Sequence, residues 1–365
     1  MKRHQPNRLL AGTIATVLGG LVALQPAAAC TRALYVGEGG LVITGRSMDW
    51  AEDMHTNLWA FPKGIARDGA GGASTPKWTS KYGSLIATGY DIGSADGMNE
   101  AGLVANLLYL AESDYGQADG KPILSITLWA QYVLDNFATV AEAVTALEQE
   151  PFRVVAPKLP NGDGAQLHLA ISDATGDSAI FEYVGGKLVV HHGKQFNVMT
   201  NSPAFDQQLA LNAYWKEIGG NTFLPGTSRA ADRFARASFL IDAIPTKPDP
   251  NFISAVPDQE FSYQAAASVL SVMRSVSVPL GITTPGEPNI ASTLWRTVAD
   301  QKDKIYFFDS STSPNGFWVP LADLDLKEGA PVLKLTVAGG KVYSGNAADK
   351  FVATPSFAFM PATGF

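Results

Sequence analysis

The chain has 365 residues, of which 46% are hydrophobic and 17% charged, and its formal net charge at pH 7 is −7. This composition is typical of a globular protein and argues against a disordered one. The acidity disfavours nucleic acid or an anionic membrane as a partner. The single cysteine excludes an intramolecular disulfide.

The first 29 residues have the pattern of a secretion signal. An apolar run ends in three alanines, a small-residue triplet of the type that signal peptidases cleave, directly before Cys30. We therefore predict a cleaved signal peptide at 1–29 and a single exported, periplasmic domain at 30–365. The leader holds three basic residues and no acidic one, so the net charge would become −7 − 3 = −10. No later apolar run reaches the roughly 18 residues of a membrane span.

Cleavage before Cys30 would place a thiol and an α-amine on one residue. The amine, with a pKa of about 7.7 to 8.0, could then act as the base that deprotonates the thiol. Two other interpretations remain open. Cys30 could be the acylated residue of a lipoprotein, although such signals normally carry Leu where this chain has Ala27, or it could be a spare thiol near a frayed terminus.

The predicted elements begin directly after Cys30. Alternating apolar residues at 31–36 and 41–46, separated by a glycine turn, predict a β-hairpin that would hold the new terminus in place. Further strands are predicted at 57–61 and 82–90, on either side of a surface loop at 63–76.

A turn-rich segment at 96–102 precedes an almost wholly apolar run at 103–110. The pattern predicts a turn followed by a strand that is buried on both faces. Helices are predicted at 124–137 and at 140–150, the second of which opens with a capping box at Thr139.

The rest of the chain predicts separate groups of strands and helices. The strands are at 167–172, 178–184, 188–192 and 196–201, the helices at 207–218, 230–244 and 263–276, and two final hairpins at 292–309 and 332–343. Grouped strands and helices favour an α+β architecture over a β-α-β alternation. The histidines lack metal-binding spacing, and His168 lies in an apolar strand, where we expect a core role.

Five motifs in this order resemble the choloylglycine hydrolases, enzymes with an N-terminal nucleophile that include penicillin V acylases and conjugated bile-salt hydrolases. The motifs are Cys30, Arg-Ser-Met-Asp-Trp at 46–50, Asp-Gly-Met-Asn-Glu at 96–100, Asn-Ser-Pro at 201–203, and Leu-Pro-Gly at 224–226 followed by Arg233. The resemblance implies a four-layer αββα sandwich, no cofactor and, as relatives often are, a homotetramer.

The resemblance also implies roles for individual residues. Cys30 would be the nucleophile, Arg46 would lie beside the thiol and lower its pKa, and Asp49 would hold the α-amine. Asn201 would supply an oxyanion-hole donor, and Arg233 matches an active-site arginine. Taken one at a time, these could equally be a surface charge, turn residues or an Asx-turn.

Tyr109 marks a departure from the bile-salt branch. By alignment on the motif at 96–100, it occupies the position where bile-salt hydrolases carry an oxyanion-hole asparagine and penicillin V acylases commonly carry tyrosine. A backbone N–H can serve the oxyanion whatever the side chain, so catalysis is compatible with the replacement. The tyrosine favours a substrate other than a bile salt.

Four apolar side chains near the motifs, Trp50, Met54, Trp59 and Tyr82, are candidates for an acyl pocket, with core packing as the alternative. We therefore predict an exported amidase whose small-molecule substrate carries an aromatic or fatty acyl group, such as penicillin V or an acyl-homoserine lactone. The alternatives are a bile-salt hydrolase and, in another class, a lipid-anchored binding protein.

Overall fold

The computed structural model describes residues 29–162, 164–220, 222–282 and 291–362. The predicted signal peptide lies outside this part of the chain, except for Ala29, its last residue. Within these ranges, no helix has both the length and the apolar character that crossing a membrane requires.

Twenty strands form in the described residues, and we number them in chain order. They are Thr31–Val36 (β1), Val42–Trp50 (β2), Leu58–Phe61 (β3), Ala66–Asp68 (β4), Lys77–Thr79 (β5), Ser84–Gly89 (β6), Gly93–Asn99 (β7), Val104–Tyr109 (β8), Ile123–Ser125 (β9), Arg153–Val155 (β10), Leu167–Ser172 (β11), Ser178–Val184 (β12), Lys187–His192 (β13), Val198–Met199 (β14), Ser292–Asp300 (β15), Ile305–Ser310 (β16), Gly316–Pro320 (β17), Leu333–Leu335 (β18), Gly345–Asn346 (β19) and Val352–Ala353 (β20).

Most strands belong to two large sheets. The smaller has the order β14-β1-β2-β15-β16-β17-β19, and the larger has the order β13-β12-β11-β8-β7-β6-β3-β18-β20. Neighbouring strands in both sheets are antiparallel, apart from the parallel pair β17 and β19. The predicted hairpin after Cys30 is β1 and β2.

The described part of the chain forms five α-helices, most of which cover the outer faces of the sheets. They are Trp129–Asn136 (α1), Val140–Leu147 (α2), Phe205–Ile218 (α3), Ala230–Ala243 (α4) and Phe261–Ser275 (α5). Helices α1 and α2 share a core with the larger sheet, whereas α4 and α5 pack on the smaller one. The inner faces of the two sheets pack against each other, for example through Ile43 and Leu85. The four-layer αββα sandwich is confirmed.

Close packing explains one glycine inside β2. A Cβ added at Gly45 would lie 2.8 Å from both Met273 Cγ and Val269 Cγ1 of α5. Because real Cβ atoms essentially never approach so closely, any larger residue would push α5 away from the smaller sheet.

Several predicted elements differ in the structure. Residues 66–68, within the predicted surface loop, form strand β4, which pairs with β5. Residues 96–99 form the end of strand β7 rather than a turn, because their polar side chains are buried and hydrogen-bonded inside the sandwich. Residues 123–125 form strand β9, so the helix predicted from 124 begins only at Trp129.

The hairpin predicted at 332–343 is wrong. Strand β18 pairs with β3 and β20, and not with the residues that follow Gly340. Tyr343 returns towards the sheet through its side chain, which packs on Phe317 and donates a hydrogen bond to the Thr336 carbonyl. The side-chain contacts of Tyr343 therefore take the place of the backbone hydrogen bonds expected between the two strands of the hairpin.

Asn99 holds the turn between β7 and β8 against helix α1. Its Nδ2 donates to the carbonyls of Leu134 (2.9 Å) and Phe137 (2.8 Å). Its Oδ1 accepts from the backbone N–H groups of Ala101 and Leu103, both at 3.0 Å. One buried side chain thus satisfies four backbone groups, which explains the asparagine of the motif at 96–100.

We expect Asn99→Ala to lower the free energy of unfolding by about 3 kcal/mol or more, since it removes the partners of four backbone groups at once. Urea denaturation measures the loss. Asn136→Ala is the matched control, because that side chain makes one hydrogen bond, to Tyr132 within the same helix, and should cost under about 1 kcal/mol. Equal losses in the two variants would contradict this account of Asn99.

Candidate active site

Cys30 lies at the start of β1, with 2% of its surface exposed, in a cleft between the two sheets. The cleft has an empty volume of about 590 Å³, part of which is open to solvent. Its lining residues are Cys30, Arg46, Met48, Trp50, Met54, Gly89, Tyr90, Ile92, Gly93, Ser94, Ala95, Leu107, Tyr109, Ile126, Thr127, Leu159, Ala165 and Leu167. The sole cysteine therefore faces an apolar cavity.

Arg46 reaches the thiol from the adjacent strand β2. Its Nη2 lies 3.9 Å from Cys30 Sγ and donates to the Leu107 carbonyl at 2.9 Å. The guanidinium also lies over the Trp295 ring, 4.7 Å from its centroid. The structure thus places Arg46 beside the thiol, as the resemblance implied.

A buried carboxylate that the sequence analysis had given no role lies behind Arg46. Asp96 Oδ2 is 3.6 Å from Arg46 Nη1 and accepts a hydrogen bond of 2.5 Å from Asn106 Nδ2. The Tyr306 hydroxyl donates to the other oxygen of Asp96. Burial raises the pKa of Asp96, while Arg46 and the two donors oppose this. The only sequence signal for Asp96 was its place in the motif at 96–100.

Burial raises the pKa of the Cys30 thiol. The Arg46 cation works in the opposite direction, whereas the Asp49 carboxylate raises the pKa further. Arg46 therefore lowers the pKa of the thiol, as predicted. Its effect is smaller than that of removing water from around the sulfur, which raises the pKa. In the chain that retains Ala29, the thiol needs a base to become a nucleophile.

Asn201 fixes the backbone of Cys30. It follows β14, and its Oδ1 accepts the Cys30 backbone N–H at 2.6 Å and Arg233 Nη2 at 2.7 Å. Two donors on one oxygen settle the orientation of the amide, so Nδ2 points away and donates to the Tyr109 carbonyl at 2.7 Å. That bond uses one of the two Nδ2 protons and leaves the second outside these contacts.

Arg233 of α4 ties together the start of β1 and the Asn201 side chain. Its Nη1 donates to the Cys30 carbonyl at 2.5 Å and to Thr31 Oγ1 at 2.6 Å, and its Nε donates to the Ser228 carbonyl at 2.9 Å. Burial lowers the pKa of this guanidinium, and the Asp49 carboxylate opposes the shift. Arg233 thus contacts Cys30 through its carbonyl rather than its sulfur.

Asp49 is buried, and only one of its two carboxylate oxygens accepts a hydrogen bond in the described residues. Its Oδ1 accepts from Thr293 Oγ1 at 2.5 Å, whereas Oδ2 lies 4.0 Å from Arg233 Nη1 and has no hydrogen-bond partner in the described residues. Burial raises its pKa to about 6, against the opposing effects of Arg233 and Thr293. The Cys30 nitrogen, still in a peptide bond, donates to Asn201 instead. Asp49 therefore lies in the site with an unused acceptor.

Trp50 and Met54 line the cleft, as predicted. The Trp50 indole donates to the Tyr90 hydroxyl at 2.9 Å and meets the Tyr109 ring edge-on, with centroids 6.3 Å apart. Ser94 and Thr127 have their hydroxyl groups hydrogen-bonded elsewhere in the protein. The walls therefore present little hydrogen-bonding capacity, which suits an apolar ligand.

The structure places Trp59 and Tyr82 outside the cleft, which corrects their assignment to the acyl pocket. Trp59 faces the other side of the larger sheet, where it contacts Phe61 and Phe357 and donates to Asp91. Because side chains alternate along a strand, β3 turns Trp59 away from the inter-sheet cleft. Tyr82 precedes β6, and its backbone bonds to the Asp135 carbonyl.

The family model for linear amide C–N hydrolases of the choloylglycine hydrolase family matches residues 30–334. The chain belongs to the choloylglycine hydrolase family. Members of this family hydrolyse carbon–nitrogen bonds of linear, non-peptide amides, and the chain is such a hydrolase.

Relatives in the choloylglycine hydrolase family include two penicillin V acylases. The enzyme of Pectobacterium atrosepticum is 48% identical over 98% of both chains. The solved structure of the Agrobacterium tumefaciens enzyme is 55% identical, has a TM-score of 0.82, and covers 90% of this chain and 99% of its own. A conjugated bile acid hydrolase variant from Clostridium perfringens, 23% identical with a TM-score of 0.69, covers 86% of this chain and 99% of its own, and shares the fold.

We expect Asp49→Asn to remove a pH-dependent loss of stability from the chain that retains Ala29. Because burial raises the pKa of Asp49 from 3.8 to about 6, the folded state binds more protons than the unfolded state between these values. Stability is therefore lost as the pH rises through this window, by about 3 kcal/mol for a shift of about 2 units.

Urea unfolding of both chains at pH 4 and pH 7 measures the effect. Burial also raises the pKa of Asp300 to about 6. Asp300 contributes the same pH dependence of stability to both chains, so its effect cancels when the two free energies of unfolding are subtracted. The free energy of unfolding of Asp49→Asn, relative to that of the parent chain, should rise between pH 4 and pH 7. A difference that is constant with pH would contradict the assignment.

Proposed function

We propose that this chain is an exported penicillin V acylase-type amidase whose nucleophile is Cys30, the first residue of the mature protein. One observation supports this above all: the sole cysteine faces an apolar cleft, with Arg46 near its sulfur and Asn201 and Arg233 bonded to its backbone. The two relatives that are 48% and 55% identical are penicillin V acylases.

Removal of the leader would complete the site. The Cys30 nitrogen would change from an amide to an amine, which is a base when neutral and a cation when protonated. The unpartnered Oδ2 of the buried Asp49 would then have a cation to stabilise, and that cation would in turn hold Asp49 ionised. The α-amine would supply the base that the buried thiol lacks.

The reaction is acyl transfer to water. The α-amine takes the Cys30 proton, the sulfur attacks the amide carbonyl, and the oxyanion binds Asn201 Nδ2 and the backbone near Tyr109. As the C–N bond breaks, the amine proton passes to the leaving nitrogen. The same amine then activates a water molecule that hydrolyses the thioester, which releases the acid and restores the thiol.

A cytosolic or lipid-anchored form of the chain would not satisfy this mechanism, because acylation or a retained Ala29 would remove the basic amine. The proposal therefore includes cleavage after Ala29 and a periplasmic location. We also propose a homotetramer. Apolar residues exposed on α3 and just beyond it, Leu211, Tyr214, Ile218 and Phe223, support self-association.

We expect Cys30→Ser to lower kcat for penicillin V by roughly 100-fold or more with an unchanged fold, because a hydroxyl is a far weaker nucleophile than a thiolate. Release of primary amine measures turnover, and circular dichroism checks the fold. The intact mass of the exported parent should correspond to a chain that starts at unmodified Cys30. Retained turnover in the variant would refute the mechanism, and a lipid mass on Cys30 would favour the binding-protein alternative.

The cleft predicts the order of substrates. Its apolar walls suit a phenoxyacetyl or fatty acyl group, and the rings of Trp50 and Tyr109 meet edge-to-face in the cleft, where a rigid steroid would need room. We expect penicillin V and long-chain acyl-homoserine lactones to be hydrolysed with kcat/KM at least about tenfold above that of glycocholate. A higher value for glycocholate would favour the bile-salt hydrolase alternative.

A further inference from the structure

A buried pair, His168 and Glu182, lies next to the Asn201 segment and away from the thiol. His168 of β11 is 2% exposed, and its Nδ1 lies 2.8 Å from Glu182 Oε1 of β12. Its Nε2 lies 2.8 Å from the Thr200 carbonyl oxygen. The core role expected for this histidine therefore includes two specific polar contacts.

The contacts of the ring fix which nitrogen donates to the main chain. The Thr200 carbonyl can only accept, so Nε2 carries a hydrogen and donates to it. Although burial alone would raise the pKa of Glu182, hydrogen bonds with His168 and from the Phe205 backbone hold it below the ordinary value. His168 therefore bridges the Glu182 carboxylate and the Thr200 carbonyl.

The His168–Glu182 pair forms hydrogen bonds with both ends of the segment from Thr200 to Phe205. His168 binds the carbonyl of Thr200, and Glu182 Oε2 accepts the backbone N–H of Phe205 at 3.0 Å. Between these two residues lie Asn201 and the turn that leads into α3. Gln208 adds a bond from its Nε2 to the Asn201 carbonyl at 2.9 Å. The main chain on either side of Asn201 is thus held against the larger sheet.

We propose that the His168–Glu182 pair is a positioning device that sets the Asn201 side chain for the oxyanion. The inference rests on the proposed function, in which Asn201 Nδ2 stabilises the tetrahedral intermediate. Oxyanion stabilisation depends on donor position at the level of a fraction of an ångström. Arg233 and the Tyr109 carbonyl orient the amide group itself. The His168–Glu182 pair positions the backbone from which that group projects.

The structure offers a matched control on the neighbouring strand. His192 Nε2 lies 2.8 Å from Asp177 Oδ2, the same pairing of imidazole and carboxylate across strands. This pair is more exposed, and the hydrogen bonds of its two side chains in the described residues do not reach residues 200–205. Its loss removes a similar interaction without touching the Asn201 segment.

The test compares His168→Gln and Glu182→Gln with His192→Gln in the mature, full-length enzyme. For the first two we expect kcat for penicillin V to fall at least tenfold with KM within twofold, because Asn201 acts on the oxyanion and not on the bound substrate. The alkylation rate of Cys30 by iodoacetamide should stay within twofold, since the contacts of the sulfur are unchanged. His192→Gln should leave kcat unchanged.

Two results would overturn the inference. One is an unchanged kcat in His168→Gln. The other is a fall in kcat that is accompanied by a raised KM and slower alkylation of Cys30. Changes in all three would indicate general damage to the fold. If either single variant fails to fold, the double variant His168→Gln/Glu182→Gln, which leaves no lone buried charge, replaces it with the same expected outcome.

A spectroscopic measurement needs no variant. In protein labelled with ¹⁵N-histidine, Nε2 of His168 should carry a hydrogen because it donates to the Thr200 carbonyl, and a ring protonated on Nδ1 alone would overturn the inference. Failure of the proposed function is seen separately, as turnover that survives in Cys30→Ser. That result would remove the basis of the inference whatever the His168 variants do.

Discussion

The site depends on one side-chain oxygen. Asn201 Oδ1 accepts from the Cys30 nitrogen and from Arg233, while Nδ2 of the same amide donates to the Tyr109 carbonyl. These bonds join Cys30 to the two sheets and to helix α4. In the proposed mature protein, where Cys30 would be the terminal residue, such an anchor is needed because a chain terminus is otherwise the most mobile part of a fold.

Buried charge is the second constraint on the site. Arg46 and Asp96 face each other behind the thiol, with Tyr306 and Asn106 completing the coordination of the carboxylate. Asp49, by contrast, keeps one oxygen without a donor in the described residues. Since an unpartnered buried carboxylate is costly, this imbalance marks where a new positive charge would be stabilised.

Several features could be predicted from local sequence. The hairpin after Cys30 and the capping box of α2 follow from turn residues and side-chain hydrogen bonds within a few positions. The family and its sandwich followed from the order of five short motifs. The segment at 96–99 was misjudged because its glycine and polar residues favour turns locally, whereas in the fold they fill the centre of a sheet and meet partners such as Tyr306, 210 positions away.

Sequence alone was enough to identify the residues that are chemically able to act: a single thiol behind a predicted leader, and charged and amide groups in a recognisable order. Their surroundings follow from the packing of the layers. It turned Trp59 away from the cleft and kept Trp50 in it, and it buried Cys30 so that desolvation outweighs Arg46. It also paired His168 with the carbonyl that precedes Asn201. Facing, burial and long-range pairing arise from how the layers pack, and no local pattern encodes them.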